Sequence, residues 1–88
     1  MSARLAEAAW RLLAAVERHG PGSREARDAA AWFAWYAGEA VGGAGPVPAT
    51  LSVGVGTWEF TARLGADGMA WQVWAENAGR PAVRLWEA

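Results

Sequence analysis

Trp58-Glu59-Phe60-Thr61-Ala62-Arg63-Leu64-Gly65-Ala66-Asp67-Gly68-Met69-Ala70-Trp71-Gln72-Val73-Trp74-Ala75 is the stretch that decides the fold. Apolar residues alternate with the rest on both sides of Gly65-Ala66-Asp67-Gly68, which is a turn by composition. Trp58, Phe60, Ala62 and Leu64 fall on one face of the first strand. Met69, Trp71, Val73 and Ala75 fall on one face of the second. Pairing Leu64 with Met69 also pairs Ala62 with Trp71 and Phe60 with Val73, so one register keeps both apolar sets together.

A second turn signal, Asn77-Ala78-Gly79-Arg80, leads through Pro81 into Val83 and Leu85. Pairing Val73 with Val83 places Trp71 opposite Leu85 and extends the same face. Trp71 is therefore expected at the centre of the core, and Gly68 and Gly79 at positive φ. Upstream, Leu51, Val53 and Val55 alternate with the opposite parity to Trp58 and Phe60. The switch at Gly54 and Gly56 marks either a β-bulge or a tight turn between separate strands.

Before residue 42 the period is 3.6. Residues 3–19 read as a helix capped by Ser2, with Leu5, Ala9, Leu12, Leu13 and Val16 on one face, stopped by Gly20 and Pro21. Residues 24–41 read as a second helix, capped by Gly22 or Ser23. Ala29, Trp32, Phe33, Tyr36, Ala37 and Ala40 form its expected core stripe, and Ala30, Ala34 and Gly38 a small-residue face expected to let the first helix approach closely, through Ala8, Ala9 and Ala15. The short connection favours an antiparallel hairpin. Residues 42–50 are a loop by glycine and proline content.

The expected fold is α+β: a two-helix hairpin over 3–41 packed on one face of an antiparallel β-meander over 51–87, within a single domain 1–88. The meander has three strands, or four if 50–55 forms its own.

Composition narrows the function classes. The 88 residues carry eight basic and nine acidic side chains, for a net charge of −1. Near-neutrality disfavours a strong nonspecific hold on nucleic acid or anionic lipid. All the basic residues are arginine, which suits a GC-rich bacterial or phage genome. Cysteine is absent, so thiol catalysis and thiolate metal sites are excluded and a cytoplasmic setting fits. No apolar run reaches the roughly 18 residues of a membrane span, and the charged N-terminal stretch does not read as a targeting peptide.

No pattern of catalytic residues emerges. His19, the one histidine, stands at a helix C-terminus without a nucleophile or second ligand, which fits a capping role. The carboxylates form no metal-binding motif, and no metal or cofactor is expected. Glu59 and Glu76 share the outer sheet face, where a two-carboxylate site would lack a cleft. Neither Gly54-Val55-Gly56 nor Gly42-Gly43-Ala44-Gly45 completes a phosphate-binding loop. Ser2, Ser23, Ser52 and Tyr36 lack a charge-relay partner.

Seven tryptophans are the unusual feature. Trp32, Trp58 and Trp71 fall on expected inner faces. Trp74 and Trp86 fall on the outer sheet face beside Gln72, Arg84, Glu59 and Arg63. Tryptophan beside arginine is the composition of an interface hot spot. These six residues, Trp74, Trp86, Arg84, Gln72, Glu59 and Arg63, are the expected partner-binding surface, with the helical face around Trp35 next in order.

The reading is a small non-catalytic protein-binding module that inhibits or adapts a larger protein. Phage-encoded inhibitors such as anti-CRISPR proteins, and small antitoxin or immunity proteins, share its size class. The alternatives are a homodimeric accessory protein, or a weak single-stranded nucleic-acid binder using the outer sheet face. Glu59 and Glu76 on that face count against the last.

Overall fold

Two serines open the helices. In the computed structural model, which describes residues 2–42 and 45–88, Ser2 Oγ accepts the Leu5 N–H at 3.1 Å and starts α1 (Ala3–His19). Ser23 Oγ accepts the Ala26 N–H at 3.1 Å, starts α2 (Arg24–Ala40), and donates to the Gly20 carbonyl at 2.7 Å. Each hydroxyl satisfies a backbone donor that a helix start leaves without a partner. Gly20 ends α1 at φ 90 and ψ 157, an extended positive-φ conformation that only glycine adopts readily. Across the resulting hairpin, His19 Nδ1 lies 3.5 Å from Glu25 Oε2.

The second half is a four-stranded antiparallel sheet in the order β1 (Thr50–Val55), β2 (Trp58–Leu64), β3 (Ala70–Asn77) and β4 (Val83–Glu87). The parity switch at Gly56 is a two-residue turn between separate strands. Gly56 has φ 60 and no non-glycine residue described has positive φ, the pattern of a II′ hairpin turn. Val55 pairs with Trp58 across it, and Leu51, Val53 and Val55 share the inner face with Phe60 and Ala62. Gly68 and Gly79 both have positive φ, as expected. Of the expected 42–50 loop, Gly43 and Ala44 lie outside the described residues.

The hairpin covers the inner sheet face, α1 over β1 and α2 over β2 to β4. The core is Leu5, Leu12 and Val16 from α1, Phe33 with Ala26, Ala30, Ala34 and Ala37 from α2, and Val53, Phe60, Ala62, Val73, Ala75 and Leu85 from the sheet. Phe33 meets Phe60 edge to face at 6.2 Å between ring centroids. Here α2 departs from expectation. It turns its small residues inward, leaves Trp32 and Ala40 exposed, and holds Ala29 and Tyr36 half-buried. Close approach is the reason. A Cβ added at Gly38 would sit 3.3 Å from the Gly68 carbonyl, so at Gly38 the small-residue face meets the β2–β3 turn and not the first helix as expected. An indole in that layer would force the two apart.

The register also differs, by one residue at Leu64 and two at Ala62 in the first hairpin, and by two at Val83 and three at Trp86 in the second. Leu64 pairs with Ala70, so the β2–β3 loop takes Met69 as a fifth residue; the Gly65 N–H donates to the Met69 carbonyl at 2.9 Å. A bulge then leaves Trp71 without a partner, because Arg63 pairs with Gln72. One residue in the loop and one in the bulge restore parity. Val73 and Ala75 stay inside as expected, but opposite Ala62 and Phe60. Trp71 is not central: it is 44% exposed, and Met69 is 59% exposed. In the second hairpin, Ala75 pairs with Val83 and Trp74 with Arg84, and a bulge at Leu85 then brings Trp86 opposite Val73.

Candidate interaction surfaces

On the outer sheet face, period-two alternation sets Trp74 between buried Val73 and Ala75, flanked by Thr61 on β2 and Arg84 on β4. Its indole Nε1–H donates to Gln72 Oε1 at 3.0 Å, and Gln72 Nε2 donates to Glu87 Oε1. Arg84 Nη1 reaches the same carboxylate oxygen at 3.4 Å. Arg63 places its guanidinium 5.4 Å from the centroid of the Trp74 ring, within cation–π range. Gln72 is buried with both ends of its amide engaged.

Five of the six expected surface residues therefore share this face: Trp74, Arg84, Gln72, Arg63 and Glu59. Trp86 does not. The Leu85 bulge turns it to the inner side, opposite fully buried Val73, where it packs half-buried against the core. Trp74 is half-buried, with its N–H satisfied and its ring beneath Arg63. The face is an ordered polar array around one sheathed indole.

Trp86 instead forms part of a groove between α2 and the adjoining ends of β3 and β4, about 470 Å³ in volume. Ala34, Gly38, Ala70 and Trp86 line its base, and Trp35 and Met69 flank it at 56% and 59% exposure. The charged residues lining it are Glu39 and Asp67, both acidic. Asp67 Oδ1 also accepts the Met69 N–H at 3.0 Å and shapes that wall. A larger groove of about 620 Å³ lies between the helices, but Arg4, Glu7 and Arg11 line it, and Trp32 there stacks on Tyr36 at 6.2 Å. Glu7 and Arg11 are paired with each other at 2.8 Å.

The chain matches no protein-family model, no curated protein and no solved structure. Its chemistry must be read from its own surfaces. Among the described residues no three His, Asp or Glu side chains gather to hold a metal ion. Among the same residues every buried side-chain polar atom has a hydrogen-bond partner. No helix described is long and apolar enough to cross a membrane.

Sequence reasoning placed Trp35 off the core stripe but missed its neighbours in the groove. Met69 and Trp86 read as inner and outer sheet residues by alternation. Only the longer loop and the Leu85 bulge, neither of which leaves a compositional mark, bring them to Trp35.

Proposed function

We propose that this chain is a non-catalytic protein-binding module, a cytoplasmic inhibitor or adaptor of a larger protein, and that its anchor site is the groove of Trp35, Met69 and Trp86. One observation carries the reading: two large apolar side chains stand more than half exposed around a third, in a concave site with an acidic rim. Isolated exposed apolar residues need no explanation, whereas a concave cluster of them marks a contact site. Tryptophan and methionine suit the role, one as a rigid anchor and the other as a wall that adapts. Glu39 and Asp67 set the partner's chemistry. The segment that fits carries an apolar side chain for the groove and an arginine or lysine beside it.

A panel of immobilised peptides, each with one large apolar residue flanked by basic, neutral or acidic residues, tests this. The protein should retain basic-flanked peptides over acidic-flanked ones. Trp35→Ala should weaken that binding by about 2 kcal/mol, the scale of a hot-spot residue. Glu39→Arg should shift the preference toward acidic flanks. Uniform failure to bind, or a preference indifferent to Glu39, would sink the reading.

A further inference from the structure

The two edges of the sheet are unlike. β4 carries Arg84 and Glu87, is interrupted by the bulge at Leu85, and follows Pro81. Charge, bulges and proline are the devices that keep an edge strand from pairing with another chain. β1 follows Pro48 as β4 follows Pro81, but it has neither charge nor bulge. Thr50-Leu51-Ser52-Val53-Gly54-Val55 contains no charge and no proline, and runs against β2 for six consecutive pairs without a shift.

The free backbone groups of β1 can be assigned. The Leu64 N–H donates to the Ala49 carbonyl at 2.9 Å. Hydrogen-bonded positions alternate from there, so Leu51, Val53 and Val55 turn their backbone groups toward β2. Thr50, Ser52 and Gly54 turn theirs outward, and all three residues are exposed. Beside this edge runs α1, where Leu13 reaches within 3.9 Å of the Cβ position at Gly56. Trp10, one turn earlier on α1 and beside Leu13 at the border of the buried stripe, is 62% exposed.

We propose that β1 pairs antiparallel with β1 of a second copy of this chain, making one continuous sheet across a two-fold axis. The edge is self-complementary. With Ser52 opposite Ser52 of the second copy, Thr50 falls opposite Gly54, and each opposed pair exchanges both backbone bonds. This register keeps the outer faces aligned and both helical hairpins on one side, where Trp10 of each copy is the large apolar side chain available at the joint. A net charge of −1 offers little repulsion between copies. The proposal is independent of the groove, which lies at the other end of the sheet.

Sedimentation velocity of the full chain provides the test. Wild type should sediment as a dimer at micromolar concentration. Ser52→Lys and Ser52→Glu each oppose like charges on the axis and should weaken dimerisation by roughly tenfold or more, about 1.4 kcal/mol. An equimolar mixture of the two should form the dimer again, since the axis then joins opposite charges. Both side chains project from the uncovered outer face and give up one exposed hydrogen bond, that of the Ser52 and Thr61 hydroxyls at 2.8 Å, so far-UV circular dichroism should match wild type and melting should fall only slightly. Trp10→Ala should also weaken the dimer. A monomeric wild type, variants that dimerise undiminished, or a mixture that stays monomeric would each overturn the proposal. Peptide binding in the groove is unaffected by Ser52 substitutions, so the two readings fail separately.

Discussion

At the scale of the residue, the two phenylalanines hold the place in the core that alternation assigns to the tryptophans. Phe33 and Phe60 are fully buried and in edge-to-face contact, while Trp71 is lifted out by its bulge. Phe60→Ala should therefore cost roughly 3–5 kcal/mol, the range for truncating a buried aromatic, and Trp71→Ala less than about 1 kcal/mol. Urea melts of the two variants check this, and reversed magnitudes would restore Trp71 to the core. Gly79 gives a second prediction at this scale. It has φ 75 and nothing within contact distance of an added Cβ, so the cost of Gly79→Ala is purely conformational, about 1–2 kcal/mol. Gly79→Asn should recover part of that loss, because asparagine tolerates the left-handed region. If alanine and asparagine melt alike, the turn does not hold that conformation in solution.

At the scale of the element, caps and turns were legible because each depends on a residue type at one position. Ser2 and Ser23 announced the helix starts, and Gly68 and Gly79 the turns, through chemistry that few other residues supply. The phase of α2 was not legible. Residues 29–38 contain no charged side chain, so nothing in that stretch marks the solvent side. Burial was decided instead by how closely Gly38 could approach Gly68. Register failed for a related reason: the bulges at Trp71 and Leu85 reverse which side the chain presents, while the apolar alternation of the sequence runs through them unmarked. The outer face shows what register does once fixed. Glu59 pairs directly with Glu76, a like-charge pair across two strands. Glu76→Lys converts it to an opposite-charge pair and should stabilise the fold by roughly 0.2–1 kcal/mol, a rise in Tm of about 1–6 °C. A fall in Tm would contradict the β2–β3 register.

At the scale of the whole molecule, small side chains inside the layers displace large ones to the surface, and three of these gather in one groove. The outer sheet face, which sequence composition favoured as the contact surface, is satisfied internally by Gln72, Arg63, Arg84 and Glu87. Arg84→Ala should accordingly leave binding of a basic-flanked peptide close to wild type, whereas Met69→Ala should weaken it by at least about 1 kcal/mol. The tryptophans themselves report where a partner docks. Each of the seven contributes one indole N–H signal to a ¹H–¹⁵N correlation spectrum. Titration with a basic-flanked apolar peptide should move the Trp35 and Trp86 signals and leave that of Trp74 in place. Movement of Trp74 with Trp35 and Trp86 unmoved would put the contact on the sheet and rule out the groove.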